Sequence, residues 1–348
     1  MGRRFRVQWA VVGVLIGLGC LAILSRQVDL KQSWNALGRL NGPFLLVPVA
    51  VFFVNFPLRA WRWQLIFPSS SPPGIGRPAL GECLTVLGIG NMANFLLPGR
   101  AGDLARCILL SRGDSLTESS RTLATLAVEK VLDGLALMGM VLFSVWALHP
   151  PRWVLELLRA AILIFGGALF LLVALRYRTR GLIDSGRRVF RLVHLSSLEE
   201  KFDGLLTSFA DGLSAVSSPG QMLTLLLMTA AIWTTEAGSI WGLARALGLA
   251  VSLKSAVVAS AVLGLGLMIP AAPGGLGTYE LFGTEAFKLA GIAASSALAL
   301  TVVIHAWVFV ANIAVGICLL AVKGITLAQL RSRLQVESGA ESTIQPSS

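Results

Sequence analysis

Charged residues are scarce in this sequence. Asp, Glu, Lys and Arg make up 14% of the 348 residues, whereas hydrophobic residues make up 55%. Soluble domains carry about 25% charged residues, so the composition excludes a soluble globular chain. It predicts an all-α, multi-pass membrane protein, because a helix satisfies its own backbone hydrogen bonds in the hydrocarbon layer of a bilayer.

Cysteine and histidine are also few, with four and three residues. The cysteines are scattered, form no CxxC pair and have no histidine nearby at metal-ligand spacing. The sequence therefore predicts neither a disulfide nor a metal site, and we expect no cofactor. It also lacks the GxxxxGK[ST] phosphate loop. A driving force for transport would then be an ion gradient, the membrane potential or lipid consumption elsewhere.

The formal net charge of +11 would suggest nucleic acid as a partner of a soluble protein. Here the basic residues stand mostly between apolar stretches, where they mark cytoplasmic loops that face anionic lipid. We expect membrane lipids with anionic headgroups as partners, and not nucleic acid. The N terminus, the basic segment 176–220 and the C terminus are predicted to be cytoplasmic, in a protein of the cytoplasmic (inner) membrane.

Six apolar stretches approach or exceed the roughly 20 residues that cross a bilayer. The first resembles a signal peptide but lacks a small-x-small cleavage site, so it is predicted to remain as a helix. The predicted spans are about 7–24, 43–66, 122–148, 154–175, 221–248 and 296–322. The intervening segments are predicted to be an amphipathic surface helix at 29–40, polar loops at 67–79, 112–121 and 176–220, and a disordered cytoplasmic tail at 331–348.

Two further apolar stretches are interrupted by proline and glycine. They cover 79–110 and about 253–290. Proline removes a backbone donor and glycine permits angles that other residues avoid, so a straight helix is not expected at either break. The residues concerned are Pro98, Gly99 and Gly102 in the first stretch, and Pro270, Pro273, Gly274, Gly275 and Gly277 in the second.

Irregular backbone at membrane depth has to be buried in protein or line a wet cavity. With both termini and segment 176–220 inside, the crossings balance if each broken stretch is a re-entrant hairpin. The alternative of two spans per hairpin also balances, but 101–111 is too short to cross. The sequence thus predicts one membrane domain, 1–330, whose halves 1–150 and 151–330 form an inverted repeat, as in many alternating-access carriers.

Polar residues surround the first break. Arg100 and Arg106 flank a glycine turn whose backbone amides can help to hold a phosphate, and Asp103 can orient an arginine or offset its charge. Together with Asn91 and Asn94 they are predicted to bind an anionic lipid headgroup. The alternative is that Arg100, Asp103 and Arg106 pair with one another or with other carboxylates and only hold the hairpins together.

Three more acidic residues lie within apolar stretches. Glu129 and Asp133 are four residues apart on one face of a predicted helix, with Lys130 adjacent, and Glu280 follows the second break. Charges inside a membrane helix are costly and usually face the bundle or a cavity, so these four residues are predicted to line the cavity.

Arg59 and Arg62 belong to the sequence Arg-Ala-Trp-Arg-Trp near the end of a predicted span. This pattern is typical of an interfacial anchor, and the alternative is that the arginines bind lipid phosphate. Glu236 and His305 lie inside other predicted spans, where they either relay a proton or are polar residues whose hydrogen bonds are satisfied.

Four segments together resemble the membrane domain of the lysylphosphatidylglycerol synthase and flippase family: Arg59–Trp63, Asn91–Arg106, Glu129–Asp133 and Pro270–Glu280. The resemblance covers nearly the whole chain and implies lipid translocation. Members of the family usually have Glu-Arg where this chain has Glu129-Lys130, which argues against bidentate phosphate binding there. Bifunctional members also carry a large aminoacyl-transferase domain after the last helix. The residues here are too few for one, so lysine transfer from tRNA is not expected.

Three hypotheses follow. The first is a carrier that moves an anionic phospholipid or a lipid-linked phosphate between leaflets. The second is a membrane-embedded enzyme acting on a lipid phosphate or lipid-linked sugar, with Glu129 or Asp133 as base, although no nucleophile motif is present. The third is an accessory protein that partners a lipid-synthesis enzyme. The sequence leaves open the lipid (phospholipid, polyprenyl phosphate or hopanoid-related), the direction of transport and the oligomeric state.

Overall fold

A computed structural model describes residues 15, 18–23, 26, 41–68, 77–97, 101–110, 116–148, 151–192, 199–213, 218–268 and 272–324. Every regular element in these residues is helical. The α-helices are α1 (Leu46–Ile66), α2 (Leu80–Leu96), α3 (Ala101–Leu110), α4 (Leu116–Leu148), α5 (Arg152–Ala161), α6 (Gly167–Leu192), α7 (Glu199–Leu213), α8 (Pro219–Ala246), α9 (Leu253–Met268), α10 (Thr278–Leu289) and α11 (Ala294–Val322). Short helical turns occupy Gly42–Leu45, Ile162–Gly166 and Pro273–Gly275.

Four helical stretches of the described chain are long and apolar enough to cross a membrane. They coincide with four of the predicted spans, at Gly42–Ile66, Arg152–Thr179, Pro219–Ala246 and Ala294–Val322. The predicted span at 122–148 lies within α4, a helix of 33 residues. In the predicted span 7–24, the structure describes residues 15 and 18–23, all helical. The chain is therefore a helical membrane protein, and the total of six spans remains a prediction.

Both broken stretches are pairs of helices. In the first, α2 ends at Leu96 and α3 begins at Ala101; in the second, a 3-10 turn stands between α9 and α10. Around that turn the φ angles of Gly274, Gly275 and Gly277 are +67°, +77° and +86°. Such angles are accessible to glycine at little steric cost. The predicted interruptions are confirmed, whereas their depth in the bilayer and their re-entrant character remain predictions.

The order of the elements repeats along the chain. A long helix, an interrupted helix pair and a second long helix occur as α1 to α4 and again as α8 to α11. Helices α5 to α7 stand between the two sets. This order is the one expected of the predicted repeat, whose inverted orientation remains a prediction.

Two predicted loops are wrong. Helix α4 begins at Leu116, inside the predicted loop 112–121, and the predicted loop 176–220 contains the end of α6 and all of α7. Arginine and leucine are good helix formers, so a basic segment can remain helical when an apolar face has a partner. For α7 that partner is α4, because Leu213 packs with Ala124 and Val128. The predicted surface helix 29–40 and tail 331–348 lie outside the described residues.

The chain forms two compact units. Unit 1 comprises the described residues within Met1–Val49, Thr85–Ile108 and Ser239–Ser348; unit 2 comprises those within Ala50–Leu84 and Leu109–Gly238. Each unit takes segments from both predicted halves of the sequence. In unit 2 one core cluster consists of Ile66, Ala124, Val128, Leu132, Leu213 and Leu225.

Small residues bring helices together in unit 1. Helix α10 packs against both α9 and α11, and a Cβ atom added to Gly266 of α9 would lie 2.8 Å from the Phe282 ring. A Cβ atom on Gly283 would overlap Thr301, and one on Gly316 of α11 would overlap Met92 of α2. Close approach at small residues is typical of helix packing in membranes. These contacts place α2, α9, α10 and α11 around the second break.

Candidate functional site

The two interrupted segments meet in unit 1. A Cβ atom added to Gly274, in the second break, would lie 3.4 Å from Cδ1 and 3.5 Å from the backbone oxygen of Phe95, in the last turns of α2. It would lie 3.8 Å from Cδ2 of Phe309 in α11. The rings of Phe95 and Phe309 are themselves in edge-to-face contact, with centroids 5.8 Å apart. The backbone of the second break therefore lies close to the first interrupted segment, so close that a single added carbon atom would be in van der Waals contact with it.

Helices α2 and α3 carry a buried cation between closely packed backbones. Arg106 is 1% exposed, and its Nη1 lies 3.9 Å from Oδ1 of Asp103. Asn94 Nδ2 donates to the same Asp103 oxygen at 3.2 Å. A Cβ on Gly102 would overlap the Gly90 carbonyl, and one on Gly90 would lie 2.5 Å from Cγ of Arg106. Gly102 thus lies within α3, where its missing side chain permits close packing, and not in the turn predicted from the sequence.

Asn91 connects α2 to α11. Its Nδ2 donates to Oδ1 of Asn312 at 3.1 Å, and Asn312 Nδ2 donates to the Val308 carbonyl at 2.8 Å. A polar pair of this kind ties two apolar helices together, because each amide would otherwise be left unsatisfied in an apolar environment. Asn91 therefore has an internal partner as well as the lipid contact that the sequence predicts.

His305 and Glu280 form a buried pair beside the second break. Their side chains are 6% and 9% exposed, and His305 Nδ1 lies 2.5 Å from Oε1 of Glu280. His305 Nε2 lies 2.9 Å from the Gly274 carbonyl oxygen, and the Tyr279 ring stacks on the imidazole with centroids 4.4 Å apart. The Gly277 backbone N–H donates to Oε2 of Glu280 at 2.6 Å, which caps the first turn of α10.

The partners determine where the hydrogens lie. A carbonyl oxygen only accepts hydrogen bonds, so Nε2 of His305 carries the hydrogen that faces Gly274. The short contact on the other side of the ring then needs one proton between Nδ1 and Oε1 of Glu280, because two lone pairs would repel each other. The sequence left open whether His305 relays a proton or is a polar residue whose hydrogen bonds are satisfied, and it named no partner. The structure gives His305 the partner Glu280.

In unit 2, Arg62 and Asp133 form a two-pronged ion pair. Arg62 Nη1 and Nη2 donate to Oδ1 and Oδ2 of Asp133 at 2.7 and 3.2 Å. Arg62 Nη1 also donates to the Thr229 hydroxyl at 3.0 Å, and Trp233 Nε1 donates to Oδ1 of Asp133 at 3.1 Å. Arg62 is 1% exposed. Its guanidinium is therefore bound within the protein. An interfacial anchor would instead place its guanidinium at the membrane surface.

Arg59 lies one turn before this pair and is more open. Its Nε donates to Oδ1 of Asn55 at 2.6 Å, and its Nη2 lies 3.6 Å from Oε2 of Glu236. The guanidinium carbon lies 5.5 Å from the centroid of the Trp233 ring, within the range of cation–π attraction. Asn55 Nδ2 donates to the Ile232 carbonyl at 2.9 Å. With side chains 26% and 30% exposed, Arg59 and Glu236 are the accessible charges of this cluster.

The remaining predicted cavity residues also lie in unit 2. Glu129 is 6% exposed, as expected of a residue facing the protein interior, and Lys130 is half-buried. Pro98, Gly99, Arg100 and Pro270 lie outside the described residues, so their predicted roles remain predictions. Among the residues that the structure describes, no group of three or more His, Cys, Asp or Glu side chains is placed to hold a metal ion.

Sequence reasoning missed several partners of these charges. Asn55 had a detectable signal, since it is an amide in the middle of the apolar stretch 43–66. Thr229, Trp233 and Tyr279 gave no such signal in the sequence, because threonine and aromatic residues are common in membrane helices for packing reasons alone. Their roles depend on which helix lies opposite.

Known proteins resemble this chain over most of its length. The profile of the lysylphosphatidylglycerol synthase TM region matches residues 10–316. A protein named glycosyltransferase AglD, from Haloferax volcanii, is 25% identical over 328 residues, which cover 85% of this chain and 51% of that protein. A UPF0104 membrane protein from Methanothermobacter thermautotrophicus is 24% identical over 308 residues, which cover 83% of this chain and 88% of that protein.

The chain thus spans about half the length of the AglD protein and most of the UPF0104 protein. No solved structure matches it. Since the family profile covers nearly all of the membrane helices described above, the chain belongs to the family of the lysylphosphatidylglycerol synthase TM region.

Proposed function

We propose that this protein moves an anionic phospholipid, or a lipid-linked phosphate, between the leaflets of the cytoplasmic membrane. The observation that carries the proposal is the close approach of the second break to the first interrupted segment, at Gly274 and Phe95. Interrupted helices that meet are the usual site of substrate binding in carriers, because their free backbone ends and polar side chains lie inside an apolar bundle.

Arg106 is the described residue best suited to a phosphate. Its guanidinium is buried, and a planar guanidinium fits the oxygens of a phosphate better than an ammonium does. The 3.9 Å between Arg106 Nη1 and Asp103 Oδ1 exceeds the length of a charge-assisted hydrogen bond, about 2.7–2.9 Å. Asp103 thus offsets part of the charge of Arg106, and a phosphate would bind the same guanidinium.

The repeated order of elements supports a carrier over a fixed binding protein. Carriers of this kind expose one site to each side in turn by moving one repeat against the other. Arg100 would join Arg106 at the phosphate, as its position three residues before Asp103 suggests.

The test is movement of a labelled lipid in proteoliposomes. Fluorescent phosphatidylglycerol is placed in both leaflets, and a membrane-impermeant quencher reports how fast lipid from the inner leaflet becomes accessible. Arg106→Gln removes a charged donor, whose bond to an anion is worth about 1.5–3 kcal/mol. We therefore expect the transport rate to fall about 10- to 100-fold.

Matched variants separate transport from folding. Arg106→Lys keeps the charge but loses the fork, so we expect a smaller loss than with Arg106→Gln. Arg159→Gln is the control, because Arg159 is 70% exposed and pairs only with the neighbouring Glu156 in the described structure. Each variant is checked for a single gel-filtration peak and an unchanged melting temperature. Wild-type rates in well-folded Arg106→Gln would refute the assignment of the phosphate site.

A second candidate function is chemistry on, or assistance to, lipid-linked sugars, polyprenyl phosphates or hopanoid lipids. It is favoured by one observation, the name glycosyltransferase carried by the Haloferax relative, of which this chain matches about half. An enzyme would form product when purified protein is mixed with a panel of lipid phosphates and sugar donors. An accessory protein would co-purify with a lipid-synthesis enzyme and move no lipid in the transport assay.

A further inference from the structure

The proton held between His305 and Glu280 connects three parts of unit 1. Through Nε2, His305 in α11 holds the Gly274 carbonyl at one end of the second break. Through Oε2, Glu280 in α10 holds the Gly277 N–H at the other end. The short Nδ1–Oε1 contact joins these two interactions into one chain. A single proton therefore decides whether the break is held from both ends.

Loss of that proton would turn the attraction between His305 and Glu280 into repulsion. With the hydrogen of Nε2 committed to Gly274, Nδ1 and a carboxylate oxygen would face each other as two acceptors in a buried site, which is unfavourable. The backbone between them can respond, because Gly274, Gly275 and Gly277 hold left-handed angles and have no side chain to restrict other angles. Protonation thus favours the observed conformation of the break, and deprotonation favours its release.

The break is also the contact with the first interrupted segment. Gly274 lies against Phe95 at the end of α2, and α2 packs on α3, which carries Arg106. A change in the backbone at Gly274 would therefore reach the helices that hold the proposed phosphate site. We infer that Glu280 and His305 form a proton-binding site that couples proton movement to movement of the anionic lipid, an inference that rests on the proposed function.

The other titratable and charged groups nearby do not replace this pair. Tyr279 stacks on the imidazole and places its ring face, not its hydroxyl, against it. Cys20 lies close enough to Glu280 for an electrostatic interaction. Glu285 and Lys288 of α10 pair with each other at the surface, at 2.7 Å. The remaining charged residues of the neighbouring helices α2, α3 and α9 are Glu82, Asp103, Arg106 and Lys254.

The net charge that crosses the membrane determines whether a pH gradient or the membrane potential drives transport. A headgroup with one negative charge that crosses with one proton carries no net charge, so a pH gradient drives it and the membrane potential does not. For strict one-to-one coupling, each pH unit shifts the steady-state ratio of lipid between the leaflets by about tenfold. The proton enters from the aqueous phase on one side, binds between Nδ1 and Oε1, and leaves to the aqueous phase on the other side.

The experiment uses proteoliposomes with fluorescent phosphatidylglycerol, a pH gradient of one unit, and potassium with valinomycin to clamp the potential. The final distribution of the label between leaflets is measured, not only its rate. In parallel, a pH dye trapped inside reports proton movement when the lipid is added. Glu280→Gln keeps the shape of the side chain but removes the carboxylate that shares the exchangeable proton with His305. Glu285→Gln in the same helix is the matched control.

We expect wild type and Glu285→Gln to shift the distribution about tenfold, and Glu280→Gln to show no shift. If wild type equilibrates the lipid but ignores the pH gradient, the coupling is wrong and the proposed function stands. If wild type moves no lipid with or without a gradient, both are wrong. Should Glu280→Gln fail to fold, the dye decides on wild type alone, since transport without matching proton movement overturns the coupling.

Discussion

Removing the carboxylate of Asp133 is the sharpest perturbation of unit 2. In Asp133→Ala, the indole nitrogen of Trp233 and both Nη atoms of Arg62 lose the carboxylate at once, and only the Nη1 bond to Thr229 remains. Arg62 is 1% exposed, so water cannot easily replace the lost partner. We expect the free energy of unfolding to fall by about 3–5 kcal/mol, the usual cost of breaking a buried ion pair from one side.

The loss of stability in Asp133→Ala comes mainly from the charge of Arg62, which stays buried without its carboxylate. A second substitution tests this explanation. Arg62→Met removes the guanidinium and keeps an unbranched chain of similar length. If the stranded charge is the cost, the double variant Arg62→Met/Asp133→Ala should be less destabilised than the sum of the single variants. We expect a coupling free energy of at least about 3 kcal/mol, because neither charge then remains unpaired.

The assay is reversible unfolding in mixed micelles of dodecyl maltoside and SDS, followed by circular dichroism. An exposed ion pair provides the scale: Arg159 and Glu156 are 2.6 Å apart and their side chains are 70% and 64% exposed. Glu156→Ala should cost about 0–1 kcal/mol. Additive effects of Arg62→Met and Asp133→Ala, or a loss no larger than that of Glu156→Ala, would refute a buried pair between Arg62 and Asp133.

Two glycines make further predictions. Gly102→Ala should destabilise the protein by about 1–3 kcal/mol, because the added methyl group would overlap the Gly90 carbonyl. Gly81 has open space around it, so Gly81→Ala should leave the free energy of unfolding unchanged in the same assay. Gly134→Ala should cost a similar amount, because its methyl group would overlap the Phe165 ring. Combining it with Phe165→Leu should recover part of the loss; a double variant less stable than both singles would contradict this packing.

The interrupted segments were predictable because the signals for them are local. Proline and glycine act on the backbone at their own positions, and the structure places a helix end and a turn at the second break. The helical continuation of segment 176–220 was not predictable from charge alone. Helix α7 is stable there because its apolar face packs on α4. No residue near α7 in the sequence indicates that α4 is its partner.

Pairing between charges was the weakest part of the sequence interpretation. The sequence identified His305, Glu280, Glu236, Arg62 and Asp133 as exceptional, since each is polar within an apolar stretch. It named no partner for His305 or Glu236, whereas the structure joins His305 to Glu280 and Glu236 to Arg59. Arg62 and Asp133 are 71 residues apart in sequence, a separation at which helical periodicity carries no information about contact.

The sequence by itself determined that this chain lies in a membrane, where its helices are interrupted, and which side chains are costly to bury. Each of these follows from the chemistry of residues within about one helix length. Only the tertiary structure decided which helices meet, that Gly274 lies close to Phe95, and that His305 pairs with Glu280. A buried polar group needs a partner but does not specify one, so the choice is made by the packing of helices that lie far apart in the chain.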